Sequence, residues 1–264
     1  MHRVLRTTAL ASALLATPLL LWGDSAPRFR FRQGQVFTYQ TESRGSQKDK
    51  SGEVQSSLKG AIVLRVLKVK GDGTADVTAT VSGQGSVVWG SETIERKGGE
   101  PKEVVLTVKP DGSIAGIKTT GGARCTFMSV MEEEAMTGRG AVLVEVAGTY
   151  TLFGLNLPKQ LPAVGGKWTG YQRQERMTST DMSDLSKGRF SLKQVPIVYA
   201  YRGSKSYQGR TCLVFTYTQK DMSGRSAPHT IYFDAAEGMI VGHEMHMKET
   251  GWVYDDVSRL APTP

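Results

Sequence analysis

Between residues 35 and 108 the chain alternates short runs of Val, Ile, Thr, Tyr and Phe with clusters of Gly, Asp, Ser and Lys. The runs hold residues that fit a pleated, half-buried surface, and the clusters hold residues that turn it. The pattern predicts strands over Gln35 to Glu42, Gln55 to Lys70, Thr74 to Val81, Ser86 to Arg96 and Glu103 to Val108. Lys70-Gly-Asp-Gly-Thr and Lys109-Pro-Asp-Gly-Ser predict tight antiparallel turns, because Gly accepts positive φ and Pro presets the corner before it.

The period changes in the middle of the chain. From Cys125 onward, Phe127, Val130, Met131 and Ala135 recur at helical spacing until Gly138, which predicts one amphipathic helix over residues 125–137. A Pro- and Gly-rich connector follows from Leu157 to Gly166. Strand patterning then resumes much as it began. Gly34-Gln-Val-Phe-Thr-Tyr-Gln aligns with Gly166-Lys-Trp-Thr-Gly-Tyr-Gln, matching Tyr39 to Tyr171 and Gln40 to Gln172, and Asp111-Gly-Ser-Ile-Ala-Gly aligns with Glu237-Gly-Met-Ile-Val-Gly. The expected architecture is mainly β: one domain over residues 26–264, made of similar β units at 34–120 and 166–258 with helix and connector at 121–165 between them. Adjoining the units in one antiparallel curved sheet or open barrel would cover strand edges that each leaves bare alone.

Ahead of this domain, Arg3 and Arg6 precede the apolar run Ala9 to Trp22, and Gly23-Asp24-Ser25 follows. That order predicts a secretory signal cleaved after Ser25, with Ala26 an equal alternative as its last residue, giving a periplasmic or secreted product with no membrane span after cleavage. The charge is 33 Lys+Arg against 25 Asp+Glu, a net +8. Removing Arg3, Arg6 and Asp24 leaves 31 against 24, or +7. Because the surplus is scattered and forms no basic block or basic helix, nucleic acid is not an expected partner. Export permits Cys125 and Cys212 to pair, although two buried thiols would fit equally well.

Chemistry-bearing motifs are sparse. His243-Glu-Met-His246 has its histidines three apart, whereas a helical zinc-protease site needs four, and in a strand the two rings point to opposite faces. His243, Met245 and Met247 share one strand face and make the nearest approach to a soft-metal set, although the same stripe also fits a strand facing a core. No nucleophile elbow or phosphate-cradling loop is present, so no catalytic residue, metal or cofactor is assigned. The strand aromatics are expected mainly in the core, with Phe127, Met131, Trp168 and Tyr171 as candidates to line an apolar ligand site.

The residues Gly166, Trp168 and Tyr171, then Tyr207, Gly209, Arg210 and Cys212, then Tyr232, Phe233, Asp234, Gly238 and Ile240 resemble the pattern of poorly characterised bacterial secreted β-sheet families. Some of these are similar to the lipoprotein-localisation carriers, whose half-open barrel wraps a helix and binds acyl chains. The resemblance implies a shape and supplies no site residue. It leads to the expectation of an exported non-enzymatic protein binding a lipid or other apolar ligand in the cell envelope. Two alternatives stay open: an envelope structural or interaction protein without a small ligand, and a hydrolase assembled from dispersed residues such as His229, His243, Glu244, Asp234 and Ser204.

Overall fold

The computed structural model describes residues 26–49, 52–96, 102–119, 152–177, 190–220, 226–249 and 251–261. The strands are β1 (Val36–Asp49), β2 (Gly52–Val69), β3 (Ala75–Trp89), β4 (Glu92–Arg96), β5 (Lys102–Val108) and β6 (Ile114–Thr119), then β7 (Lys167–Met177), β8 (Phe190–Tyr207), β9 (Arg210–Lys220), β10 (Ser226–Asp234), β11 (Met239–Glu249) and β12 (Trp252–Leu260). They form a single antiparallel sheet in the order β6-β5-β3-β2-β1-β12-β11-β10-β9-β8-β7, with β4 paired beside β3. One meander runs outward from β1 and another inward to β12, and the β1–β12 pairing joins them. The expected mainly-β, open antiparallel architecture is what the chain adopts. The expected helix at 125–137 lies outside the described residues.

The turns form for the reasons legible in the sequence. Asp72 accepts hydrogen bonds from the Thr74 amide and hydroxyl, and Asp111 accepts the same pair from Ser113. Gly73 and Gly112 take the positive φ that each corner requires (82° and 83°). The expected break between the strands at Thr74 to Val81 and Ser86 to Arg96 is absent: Gly83-Gln-Gly85 continues through β3, and the chain reverses at Gly90 instead. Gly60 and Gly83 face each other across β2 and β3. A Cβ on Gly60 would come within 2.4 Å of the Ser82 carbonyl, and one on Gly85 within 2.6 Å of the Ser57 carbonyl. These glycines bend the long strands toward their inner face, which a side chain there would block.

The sheet is strongly curled, as one residue demonstrates. Gly154 donates its amide to the Gly112 carbonyl at the β5–β6 turn (2.6 Å), and its own carbonyl accepts from the Tyr199 hydroxyl on β8 (2.8 Å). In the strand order β5 and β8 are eight spacings apart, which would be roughly 38 Å in a flat sheet. The segment 152–157 is thus a strap across the narrow end of a half-open barrel. Leu157 donates to the Asp111 carbonyl on one side, while Asn156 holds the Tyr171 carbonyl and the Trp168 indole on the other. Residues 29 and 30 complete this seal: Phe29 donates to the Pro110 carbonyl and Arg30 to the Gly238 carbonyl. Phe29 packs on Phe31, Phe153 and Phe233, and Leu152, Leu155 and Leu157 join the same core.

The two meanders share their backbone hydrogen-bond pattern. Gly34 and Gln35 bracket Val66 as Gly165 and Gly166 bracket Tyr201. Register breaks follow Val66 in β2 and Tyr201 in β8, and the bulges beside Val108 and Phe233 lead to Gly116 and Gly242 at matching positions. Gly112 and Gly238 both have positive φ. This pattern corrects the alignment of Tyr39 with Tyr171. At the start of the two meanders Gly34 matches Gly165, an offset of 131 residues and not the 132 of Gly34 with Gly166, so Phe37 corresponds to Trp168 and Tyr39 to Gly170. A shift of one residue exchanges the faces of a strand; accordingly Tyr39 is 3% exposed and Tyr171 is 54% exposed.

Gly112 separates two effects of a side chain at a left-handed position. At Gly34 (φ 80°) a Cβ would meet nothing, whereas at Gly112 it would come within 2.5 Å of the Phe29 ring. Gly34→Ala should cost about 1–2 kcal/mol from backbone strain alone, and Gly112→Ala roughly 2–4 kcal/mol once overpacking is added. Urea denaturation of the two variants checks this; equal losses would show that Phe29 is not held against the turn.

Candidate functional site

Alternation along each strand sends one residue in two to the inner wall, and the register lines those residues up. Direct cross-strand partners run Trp168, Tyr199, Tyr217, His229, Met245, Asp256 and Ser43, one from each strand from β7 through β12 to β1. Rings fill the first part of this row. Trp168 stacks on Tyr199 (centroids 5.3 Å, planes 18° apart), Tyr199 tilts against Tyr217 (5.2 Å), and Tyr217 stacks on His229 (4.4 Å, 5°). His243 lies in the next row, opposite Ile231 and Ser258. Its Nε2 reaches back to His229 Nδ1 at 2.9 Å.

Beyond the rings the row turns polar. The Ser43 hydroxyl donates to Asp256 Oδ1 at 2.6 Å, and Asp256 Oδ2 lies 4.0 Å from His243 Nδ1, beyond hydrogen-bond reach. His243 Nδ1 and Ser258 Oγ are buried with no hydrogen-bond partner. Burial pushes His229 down to about 4. It holds His243 well below the ordinary imidazole value, helped by the His229 and His246 charges it would face. Burial raises Asp256, against the opposing effect of the Ser43 hydroxyl. At neutral pH both imidazoles are therefore uncharged, each with a nitrogen lone pair to offer.

The candidates from sequence divide by face. Trp168 is in the inner row, with its indole anchored on Asn156, whereas Tyr171 is on the outer face and cannot line the same wall. Phe127, Met131 and Cys125 lie outside the described residues. Cys212 is buried in β9 with a free thiol pushed up to about 11 by burial. His243, Met245 and Met247 share the inner wall, while His246 points outward and pairs with Asp255. Of the dispersed set, only His229 and His243 meet. Glu244 bonds Tyr232 on the outside, Asp234 pairs with Arg210 at a turn, and Ser204 is exposed. Sequence reasoning missed Asp256 and Ser43. Their one signal is the alternation that puts each in step with buried neighbours, Ser258 and Tyr39.

In class, the chain is a half-open antiparallel sheet with a sealed base and an uncharged aromatic and histidine row on its inner wall. No protein-family model matches it, and no curated protein matches it. Among solved structures it is similar to lipovitellin, described for its lipid–protein interactions, at 13% identity and TM-score 0.44, covering 89% of this chain and 26% of that one. It is also similar to a Bacteroides fragilis protein of YmcC-like fold, described as exported, at 12% identity and TM-score 0.33, covering 90% of this chain and 100% of that one. The chain thus spans about a quarter of the lipovitellin chain, and likenesses this distant carry no argument about ligand or activity.

The histidine row makes stability depend on acid. The unfolded chain protonates His229 near its ordinary value of 6.5, the folded chain only near 4, so between those values the unfolded state binds more protons. Stability is complete above about pH 6.5 and falls as pH drops toward 4, by roughly 3 kcal/mol for this group. His243 acts in the same direction, and Asp256, with its raised value, partly opposes both. Denaturant midpoints measured from pH 7 to pH 4 should fall steeply, and His229→Gln should flatten the profile.

Proposed function

We propose that the chain is an exported, non-enzymatic protein that holds a lipid acyl chain or similar apolar ligand against the inner wall of its curled sheet. One observation carries the reading: the wall continues far beyond the core. In β2 the core cluster takes Ile62, Leu64 and Val66, leaving residues 52–61, on the order of 30 Å of strand. By alternation the inner positions there and alongside include Val54, Leu58, Val87, Met245 and Met247, with Gly45, Gly60, Gly83 and Gly85 between them. Val87 and Met247 are buried yet stand outside the main core cluster. With the small hydroxyls of Thr41, Ser43 and Ser56 among them on the same face, apolar and side-chain-free positions at the mouth of a half-open barrel suit a flexible hydrocarbon chain better than a polar ligand.

Export rests on the amino-terminal pattern, which lies outside the described residues. No helix among the described residues is long and apolar enough to cross a membrane. We read the two meanders as copies of one β unit in the corrected register. Ancestry would account for the matching hydrogen bonds of Gly34 and Gln35 with Val66 and of Gly165 and Gly166 with Tyr201.

Native mass spectrometry of the purified full chain, before and after organic extraction, tests the ligand. The expected result is a retained lipid mass that extraction removes, followed by saturable uptake of a fluorescent fatty acid. Leu58→Asp, which places a carboxylate on the wall, should reduce that uptake at least tenfold. Absence of both retained lipid and saturable uptake would remove the carrier reading.

A further inference from the structure

The geometry points to a copper(I) site on the inner wall, with His229 Nδ1, His243 Nε2 and the Met245 thioether as ligands. The inference is independent of whether the wall also takes a lipid.

The two imidazole nitrogens converge at 2.9 Å. Nitrogens bound to one ion at about 2.0–2.1 Å stand roughly 2.8–3.5 Å apart when the angle between them is near 90–115°, so this spacing suits two ligands of a single ion. Met245 is the direct cross-strand partner of His229 and lies two residues beyond His243 on the same face, which brings the third donor to that corner. Among the described residues no three His, Cys, Asp or Glu side chains gather to hold a metal by themselves. A site here therefore depends on the thioether, and two neutral imidazoles with a thioether form a soft, uncharged donor set that selects copper(I) over hard cations.

The orphan nitrogen supplies the second, independent observation. If His229 and His243 only hydrogen-bond to each other, His243 Nδ1 is left buried without a partner, and Asp256 is too far away at 4.0 Å to provide one. With an ion on Nε2, the other ring nitrogen must carry the proton and faces a carboxylate. Asp256, itself held by the Ser43 hydroxyl and 4.0 Å away, has to close to about 3 Å to serve as the outer-shell group that orients a metal-bound imidazole. Asp256 keeps 20% of its side-chain surface and Met245 is half-buried, so the entry path lies on their side of the row.

The test uses the full chain, treated with chelator and then loaded with copper(I) under reducing conditions, in competition with a chromogenic copper(I) chelator. About one copper per chain is expected, with sulfur and imidazole nitrogen in its X-ray absorption spectrum. Met245→Leu, which preserves volume, and His243→Asn should each weaken retention at least tenfold, and Asp256→Asn about tenfold. His246→Asn, on the outer face, should leave retention unchanged. If His243→Asn fails to fold, Met245→Leu decides alone. No stoichiometric copper, retention undiminished in Met245→Leu, or loss confined to His246→Asn would each overturn the proposal.

Discussion

Among the described residues the antiparallel path of eleven strands ends at β6 and β7, and the strap at residues 152–157 is what ties its two halves into a curl. Gly154 uses its amide on one end of the path and its carbonyl on the other. Buried backbone groups that lose their partners cost about 1–3 kcal/mol each, so flattening the sheet would orphan several at once. It would also expose Leu152, Phe153, Leu155 and Leu157, whose burial is worth about 1.5–3 kcal/mol apiece. The edges are kept apart in pairing but together in space by a segment belonging to neither.

What the curl encloses explains the chemistry of the wall. A histidine on an open sheet would keep its ordinary proton affinity, because water would stabilise the imidazolium. Here Tyr217 covers the His229 face, and His243 is wholly buried between β10 and β12. Desolvation therefore holds both rings neutral. The glycines of β2 and β3 act in the same sense from the other side, since the bend at Gly60 and Gly85 closes the wall around the row.

The strands and turns were legible because their causes are local. Lys70-Gly-Asp-Gly-Thr and Lys109-Pro-Asp-Gly-Ser announce Asp-capped corners, and β2, β5 and the inner stripe of β11 follow from residue type and alternation. Gly83-Gln-Gly85 misled because glycine marks a kink as readily as a turn, and only the pairing with Gly60 distinguishes them. The Tyr39 and Tyr171 match failed by a single residue, which inverts a strand's faces. The row itself was out of reach. Ser43 and Asp256 are 213 residues apart, brought together by the β1–β12 pairing that no local pattern announces.

A wall built for stability alone would not look like this one. Leu at His243 and Ala at Ser258 would bury comparable volume without two partnerless polar atoms, each costing about 1–3 kcal/mol. The rest of the inner surface follows that economy, with Ile231, Phe215 and Phe233 fully buried and apolar. Among the described residues the departure gathers at one corner, where β10, β11, β12 and β1 supply His229, His243, Met245, Asp256, Ser258 and Ser43. Local conflict between polarity and burial in an otherwise consistent core is where function is to be sought. The corner sits at the boundary between the sealed base and the open wall, the one depth at which a group can be both desolvated and reached from the mouth.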